Sequence, residues 1–261
     1  MVESSCHFTK QGKAYYMAII SECIVNENKT LTVPKITWKP KKLTGARFAA
    51  VLGEDPFLTP FGVWCELTRV AQKPFEENKY TIAGNFLEDD IAAYTQSKSK
   101  FFLSQPHMIW GYSYKSETNY DFYPENEIFG GMWDAQLLDN GNLIGIFEFK
   151  TSSRRDVWEK GIPKAYERQA QLYAYLSGTP YYHFAVSFLT EEELDEPATH
   201  KCTDDNTMLL HKRLPKEFQD TIEKATQWYG TFIRDGATSP AYDEEKDKEY
   251  LDILRGRGYQ L

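Results

Sequence analysis

The segment from Asp134 to Lys150 constrains the fold more than any other part of the chain. It reads DAQLLDNGNLIGIFEFK, in which two hydrophobic runs flank a sequence typical of a tight turn between antiparallel strands. The run after the turn is typical of a strand that is buried on both faces. An unpaired Glu148 and Lys150 would be costly in such a strand. We therefore expect that the two charged residues belong to a functional site, and that the segment is not a solvated surface hairpin.

The turn residues also predict how the two strands pair. A three-residue loop over 139–141 would pair Leu138 with Asn142. It would place Asp134 diagonal to Glu148 on one face of the sheet. A two-residue Asn-Gly loop would instead send the two acids to opposite faces. A site that uses both acids therefore favours the three-residue loop.

The second strand carries the residues that could take part in catalysis. Alternation of side chains places Ile144, Ile146, Glu148 and Lys150 on one face, while Phe147 and Phe149 would face a core. Carboxylates that hold Mg²⁺, with an ammonium group beside the attacking water, are what metal-dependent phosphodiester hydrolysis requires. The hairpin therefore predicts a hydrolytic metal site.

Composition sets the class of protein. The chain has 261 residues, of which 26% are charged and 15% aromatic, as expected for one ordered domain over 1–261. The apolar stretch 14–20 is too short to span a bilayer, and no signal-peptide pattern precedes it, so we expect a cytoplasmic protein without membrane contact. Four cysteines, without C-x-x-C spacing, suggest neither a zinc site nor a disulfide framework: Cys6, Cys23, Cys65 and Cys202.

Local charge is more informative than the net charge. A formal net charge of −8 argues against a protein whose whole surface attracts nucleic acid. Each of two basic clusters could be a solvated face, but their position beside the predicted metal site favours phosphate contacts. The clusters are Lys35, Lys39, Lys41, Lys42 and Arg47, and Arg154, Arg155, Lys160, Lys164 and Arg168.

Periodicity, capping and turn signals predict a mixed order of helices and strands. This order fits an α/β fold with a central mixed β-sheet flanked by helices, a core over about 43–189 and a C-terminal helical extension over about 215–255. Helices are expected over 44–53, 59–67, 81–94, 163–176, 215–234 and 243–255, and strands over 15–20, 108–114, 129–138, 142–150 and 181–189.

Two predicted helices could complete the site. Gln169 lies four residues before Tyr173, on the helix face that packs on the sheet, where it is either a site residue or a buried glutamine bonded to backbone. Gly84 costs about 1 kcal/mol relative to alanine within a helix, which suggests that a backbone or a ligand approaches closely. Glu88, one turn later, is either an exposed acid or a further carboxylate of the site.

These motifs together resemble the PD-(D/E)XK nuclease superfamily in its RecB-like branch, and more narrowly the YqaJ and lambda-exonuclease family of viral recombinases. The segment 43–64 is also similar to the family's N-terminal Thr-x-x-Arg segment and the helix after it, and the resemblance covers about 43–189. The motifs are Gly84-x-x-x-Glu88, Asp134 with thirteen residues before Glu148-x-Lys150, and Gln169-x-x-x-Tyr173.

The resemblance implies a restriction-endonuclease-like core and a role for each motif residue. Asp134, Glu148 and the Phe149 carbonyl would bind Mg²⁺, for which Mn²⁺ could substitute. Glu88 would be a further carboxylate ligand. Lys150 would position the attacking water or help to deprotonate it.

The resemblance also implies which residues serve the DNA. Gln169 would orient the catalytic lysine or a phosphate, and Tyr173 would pack behind it. Thr44 and Arg47 would lie near the terminal phosphate. In all, six residues are expected on the DNA-binding side: Thr44, Arg47, Arg154, Arg155, Lys164 and Tyr173.

The implied activity is exonucleolytic digestion of duplex DNA ends, from the 5′ side, for single-strand-annealing recombination. An annealing protein, a ring of subunits, commonly three, and a phage or prophage origin in a bacterial host would accompany it. One departure is plain, because Met132-Trp133 stands where a Ser-Pro or small-Pro pair often precedes the aspartate. A hydroxyl that could bind the terminal phosphate is therefore missing.

Three alternatives remain. The chain could be an endonuclease, or a Cas4-like nuclease, which normally carries an iron–sulfur cluster held by three cysteines near the C-terminus, where only Cys202 lies. It could also be a non-catalytic DNA-binding protein that keeps the fold. Loss of an acid or of the lysine would indicate that third alternative, but none of them is missing.

Overall fold

The computed structural model describes residues 24–33, 39–74, 76–234 and 238–256. The strand predicted over 15–20, together with Lys35, Cys6 and Cys23, lies outside these residues. Within them, Cys65 and Cys202 are reduced thiols. No helix of the described ranges is both long and apolar enough to cross a bilayer.

The described residues form short peripheral strands, one larger sheet and helices on both of its faces. The strands are β1 Ile24–Val25, β2 Leu31–Thr32, β3 Leu43–Thr44, β4 Phe102–Ser104, β5 Phe129–Gly130, β6 Ala135–Asp139, β7 Asn142–Ser152, β8 Tyr181–Phe188 and β9 Thr207–Arg213. The α-helices are α1 Gly45–Val51, α2 Pro60–Leu67, α3 Lys79–Lys98, α4 Pro106–Trp110, α5 Tyr114–Glu117, α6 Arg155–Lys160, α7 Lys164–Leu176, α8 Glu191–Asp195, α9 Phe218–Tyr229 and α10 Lys248–Gly256.

The larger sheet has five strands in the order β4-β6-β7-β8-β9. The pair β7 and β8 is parallel and the other pairs are antiparallel, which confirms the predicted central mixed sheet. Helix α3 covers the face that carries Phe147 and Phe149, where Leu87 and Ile91 complete an apolar core. Because side chains alternate along a strand, Glu148 points to the other face, where α7 lies.

The chain divides into two compact units. One, over Lys42–Phe57 and Pro74–Tyr229, carries the five-stranded sheet and every predicted site residue. The other includes α2 and α10, where Tyr250 is buried and its hydroxyl donates to Glu66 of α2 at 2.5 Å. The single domain expected over 1–261 stays a prediction.

The turn between β6 and β7 differs from the predicted three-residue loop. Asn140 and Gly141 both have positive φ, 49° and 82°, and Asp139 pairs with Asn142 across a two-residue turn. Positive φ at both central positions is the geometry that an Asn-Gly turn favours. The predicted pairing of Leu138 with Asn142 is therefore wrong.

A β-bulge restores the alignment that the turn alone would lose. Leu138 pairs with Leu143, but Leu137 pairs with Gly145, so one residue of β7 is left over. Ile144 is that residue, and it packs against the core on the α3 side, not beside Glu148 as expected. Beyond the bulge Ala135 pairs with Phe147. The preceding residue of one strand, Asp134, is therefore opposite the following residue of the other, Glu148, and both acids share one face.

Several predicted helices are confirmed with their capping residues. Thr44 precedes α1, the Thr59 hydroxyl accepts from the Gly62 N–H at the start of α2, and Pro163 precedes α7. Asn78 forms a capping box at the start of α3, which therefore begins before the predicted position. The helix predicted over 215–234 begins later, as α9, and a π-helix over Gly230–Arg234 follows it directly. The helix predicted over 243–255 is α10.

The strand predicted over 108–114 is wrong. Pro106 occupies the first turn of α4, where a missing N–H costs nothing, and the left-handed Gly111, with φ 76°, ends this helix. A second short helix, α5, follows directly. The strands β4 and β9, at the two edges of the sheet, were not predicted.

Candidate active site

Glu148 is the centre of a compact polar cluster. Its side chain is fully buried, and its Oε2 accepts hydrogen bonds from Lys150 Nζ and Gln169 Nε2, each at 2.8 Å. Asp134 Oδ2 accepts from the Phe149 N–H at 2.7 Å and lies 3.8 Å from Lys150 Nζ. The end of β6, the middle of β7 and the inner face of α7 therefore bring four predicted site residues together.

One oxygen of this cluster is left without a partner. Among the described residues, Glu148 Oε1 is buried and has no hydrogen-bond donor. A buried carboxylate oxygen in that state costs free energy unless a cation or another donor satisfies it.

The Phe149 carbonyl points to the same side of β7 as its N–H, towards Asp134, because both groups of one residue lie on one side of a strand.

Glu88 lies on α3 and faces the same region from another direction. Together with Asp134 and Lys150 it lines a cavity of about 320 Å³. Gly84 lines this cavity one turn earlier, where an added Cβ would meet Thr151 Oγ1 at an ordinary 3.5 Å. The protein itself does not require glycine at this position, so the predicted close approach of a backbone is not found.

Burial and neighbouring charge raise the pKa of two carboxyl groups of the site, Glu148 and Glu88. Burial raises the pKa of Glu148 to about 8, against the attraction of Lys150, and the charge of Asp134 adds to the rise. Burial and the charge of Asp134 raise the pKa of Glu88 to about 7. Burial alone would lower the pKa of Lys150, but Glu148 and Asp134 raise it, so this side chain stays protonated at neutral pH.

The donor set fits a hard divalent cation, although it is not a closed metal site. Carboxylate and carbonyl oxygens are the ligands that Mg²⁺ prefers, and Glu148 Oε1 lacks any other partner in the described part of the chain. No three His, Cys, Asp or Glu side chains of the described residues converge at metal-binding distance. Asp134, Glu148 and the Phe149 carbonyl are therefore the fitting donors, with Glu88 across the cavity.

Tyr173 packs behind the cluster between two glycines. Its side chain is 4% exposed, so it supports α7 and presents no surface for the DNA contact expected of it. A Cβ at Gly45 would lie 2.7 Å from Tyr173 Cζ and 2.8 Å from Gln169 Cγ. A Cβ at Gly131, whose φ is 127°, would overlap the Tyr173 hydroxyl. The sequence reasoning missed both glycines, although each directly adjoins a motif or a strand.

Two members of the basic clusters are structural. Lys42 Nζ donates to Asp121 Oδ2 at 2.6 Å and to the Tyr123 carbonyl at 2.7 Å. Arg168 forms a bidentate pair with Glu54, at 2.5 and 2.8 Å, which joins α7 to the end of α1. These two side chains hold the fold together, and phosphate contacts are not their main role.

Several other basic residues of the two clusters pair with neighbouring side chains at or near the surface. Arg47 Nη1 donates to Thr44 Oγ1 at 3.1 Å, so the two residues of the Thr-x-x-Arg segment act as a pair. Exposed ion pairs contribute only about 0–1 kcal/mol, so phosphates could displace the acids at little cost. The pairs are Arg154 with Asp156, Arg155 with Glu159, and Lys164 with Glu167.

Comparisons with known proteins identify the fold. Two solved structures share the fold: LHK-Exo in complex with dAMP, an alkaline exonuclease from Laribacter hongkongensis (15% identity, 83% of this chain, 93% of that chain, TM-score 0.52), and a phage-related exonuclease from Haemophilus somnus 129PT (16% identity, 75% and 96%, TM-score 0.53). The restriction-endonuclease-like α/β architecture predicted from the sequence is confirmed.

Two sequence relatives are mycoplasma proteins of undescribed function. Protein MG373 homolog of Mycoplasma pneumoniae is 26% identical and protein MG373 of Mycoplasma genitalium is 25% identical, each over 88% of this chain and 92% of the relative. The model of the YqaJ-like viral recombinase domain matches residues 36–180, which hold all of the clustered residues described above. The chain belongs to the YqaJ-like viral recombinase family, within the PD-(D/E)XK nuclease fold.

Proposed function

We propose that this chain is a metal-dependent exonuclease that hydrolyses phosphodiester bonds at the ends of duplex DNA. The observation that carries the proposal is the buried Glu148 carboxylate, which Lys150 and Gln169 hold beside Asp134 while Oε1 lacks a partner among the described residues. Family membership and the likeness in fold to two exonucleases support it.

The donor set supports one position for the cation. Asp134, Glu148 and the Phe149 carbonyl would hold Mg²⁺, with Mn²⁺ as a substitute and Glu88 as a further ligand. The bound ion would supply Lewis-acid polarisation of the scissile phosphate and a lowered pKa of the attacking water. Lys150 and Gln169 both donate to Glu148 Oε2, so Oε1 is the oxygen of this carboxylate that has no other partner among the described residues.

Lys150 acts as an electrostatic group in this scheme. Glu148 and Asp134 raise its pKa, so in the metal-free protein it is an ammonium at neutral pH, which supports a role as a fixed charge. A fixed positive charge beside the reacting phosphate stabilises negative charge that develops in the transition state. Donation to the attacking water or to a phosphate oxygen would position the substrate as well.

The finer features of the proposal rest on the family resemblance. We infer resection from the 5′ side, delivery of the product strand to a single-strand annealing protein, and a ring of three subunits. The enzyme would act in the cytoplasm of a bacterial host, with a phage or prophage origin. Thr44, Arg47, Arg154, Arg155 and Lys164 would contact the DNA backbone.

Nuclease assays on matched variants test the catalytic assignment. We expect Asp134→Asn and Lys150→Met each to reduce Mg²⁺-dependent release of nucleotides by at least roughly 10²-fold, while the affinity for DNA is retained. Asp139→Asn alters an exposed acid at the turn of the same hairpin and should leave the rate unchanged. An active Lys150→Met enzyme would refute the role of the ammonium group. If the wild-type chain binds DNA but cleaves no substrate with any divalent ion, the non-catalytic alternative is correct.

A further inference from the structure

The segment 106–122, between β4 and β5, exposes an unusual amount of apolar surface. Met108 is 54% exposed, Ile109 45%, Tyr112 87% and Tyr120 59%. Contiguous exposed apolar side chains on a soluble protein commonly mark a binding surface. We refer to residues 106–122 as the aromatic segment.

Both ends of the aromatic segment are fixed beside the catalytic carboxylates. At its start, the buried Gln105 donates to Asp89 Oδ1 at 3.1 Å, next to Glu88 on α3. At its end, the Phe122 N–H donates to the Gly131 carbonyl at 2.9 Å, shortly before Asp134. The segment therefore extends from one carboxylate-bearing element of the site to the other.

Stacked rings connect this segment to the active site. Trp110 and Phe122 stack with ring centroids 4.6 Å apart and planes 24° apart, and Phe122 contacts Trp133 at 4.7 Å. Trp133 directly precedes Asp134. The tryptophan that departs from the family pattern is therefore the inner end of a continuous aromatic cluster.

The outer part of the segment offers an exposed ring and a cation. Tyr112 stacks on His107 with centroids 5.0 Å apart and planes 4° apart, which holds the tyrosine ring in place while most of its surface stays in solvent. Lys115 is exposed, and its charge lowers the pKa of Glu88. The ammonium group therefore lies near enough to Glu88 to interact with it, and Tyr112 precedes it in the same short segment.

We propose that the aromatic segment is a stacking surface for unpaired bases of the DNA strand that enters the Asp134–Glu148 site. The proposal rests on the proposed nuclease function and adds how the strand end is held. Aromatic rings with an adjacent cation match the two parts of an unpaired nucleotide, its base and its phosphate. A protein partner that covered this surface would obstruct the strand, because both ends of the segment are anchored to the elements that carry the catalytic carboxylates.

Binding of overhang substrates to Tyr112 variants tests this proposal. The substrates are a duplex with a short single-stranded overhang and the same duplex with abasic sites in the overhang, both measured by fluorescence anisotropy in EDTA. For the first substrate we expect Tyr112→Ala to raise the Kd roughly tenfold, as for loss of one stacked base, while Tyr112→Phe keeps the wild-type Kd. Phe102→Ala removes another exposed ring, opposite Leu138 at the turn end of the hairpin, and should have no effect.

The abasic substrate completes a double-mutant cycle. The wild-type Kd should rise by a similar factor on the abasic overhang, and Tyr112→Ala should then add little. Equal loss on both overhangs, an unchanged Kd of Tyr112→Ala, or a loss in Tyr112→Phe would each overturn the stacking proposal. Digestion of linear duplex by the wild-type chain in Mg²⁺, measured in parallel, separates the two claims. If digestion occurs and the cycle shows no coupling, the nuclease assignment stands and the stacking surface does not.

Discussion

Replacing Glu148 with glutamine should stabilise the metal-free protein and abolish cleavage. Burial raises the pKa of this carboxyl to about 8 from 4.5, so the folded state binds its proton more tightly than the unfolded state does. The stability of the wild type therefore falls as pH rises above the unfolded pKa, and the loss is complete only above the folded pKa. Glutamine resembles the protonated carboxyl at every pH and avoids this loss.

The magnitude follows from the structure. The rise from 4.5 to about 8 corresponds to roughly 5 kcal/mol, at about 1.36 kcal/mol per pKa unit. The glutamine amide would lack a partner where Glu148 Oε1 lacks one now, within the described residues, which costs about 1–3 kcal/mol. We expect a net gain of about 3 kcal/mol at pH 8 and above, equivalent to roughly 6–12 °C in Tm. Near pH 4.5 only the cost of the unpartnered amide remains, so we expect a net loss of about 1–3 kcal/mol there.

Thermal unfolding in EDTA between pH 5 and pH 9 measures this effect. The difference in Tm between Glu148→Gln and the wild type should grow up to about pH 8 and then level off. Glu159→Gln makes the same chemical change at a surface acid that is 58% exposed, and it should leave Tm unchanged at every pH. Mg²⁺ should raise the Tm of the wild type and not that of Glu148→Gln. A difference that is independent of pH, or a less stable variant at pH 8, would refute the reasoning.

Two further substitutions test the support of the site. Gln169→Ala removes the 2.8 Å hydrogen bond to Glu148 Oε2, and we expect kcat to fall roughly 10–100-fold with the Kd for DNA unchanged; a raised Kd with normal kcat would contradict the positioning role. Gly131→Ala would force a Cβ into the Tyr173 hydroxyl at a φ of 127°, and we expect a loss of at least roughly 2 kcal/mol in urea unfolding; an unchanged midpoint would show that this packing is not required.

The β6–β7 hairpin shows which structural features can be predicted from local sequence. The existence of the hairpin and the shared face of Asp134 and Glu148 follow from turn residues, alternation and chemistry. The register that produces this shared face could not be predicted in the same way, because it depends on a two-residue turn combined with a bulge at Ile144. The adjacent Gly145 leaves room for the His183 ring of β8, a contact between distant parts of the chain that periodicity cannot reveal.

The aromatic segment illustrates a different reason for failure. Met108, Ile109 and Trp110 form an apolar run that predicts burial in a strand, because periodicity assumes that apolar side chains are hidden from water. In the structure all three lie on the short helix α4, and the first two are exposed. Where apolar residues serve binding, the assumption no longer holds. Such residues are visible only after the fold places them beside the site.

The site itself was predictable in part. Motif spacing predicted that four residues share one site: Asp134, Glu148, Lys150 and Gln169. In the structure they are linked by hydrogen bonds and ion pairs. The packing of Tyr173 between two glycines was not predictable, because it depends on how closely α1 and the strand before the hairpin approach α7.

Digestion of linear and covalently closed circular duplex of identical sequence, with Mg²⁺ or with EDTA, tests the central claim most directly. The account predicts that the wild-type chain releases nucleotides from the linear DNA only when Mg²⁺ is present, and that it leaves the closed circle intact for the same period. Cleavage of the circle at a comparable rate, or digestion of the linear DNA in EDTA, would contradict a metal-dependent exonuclease.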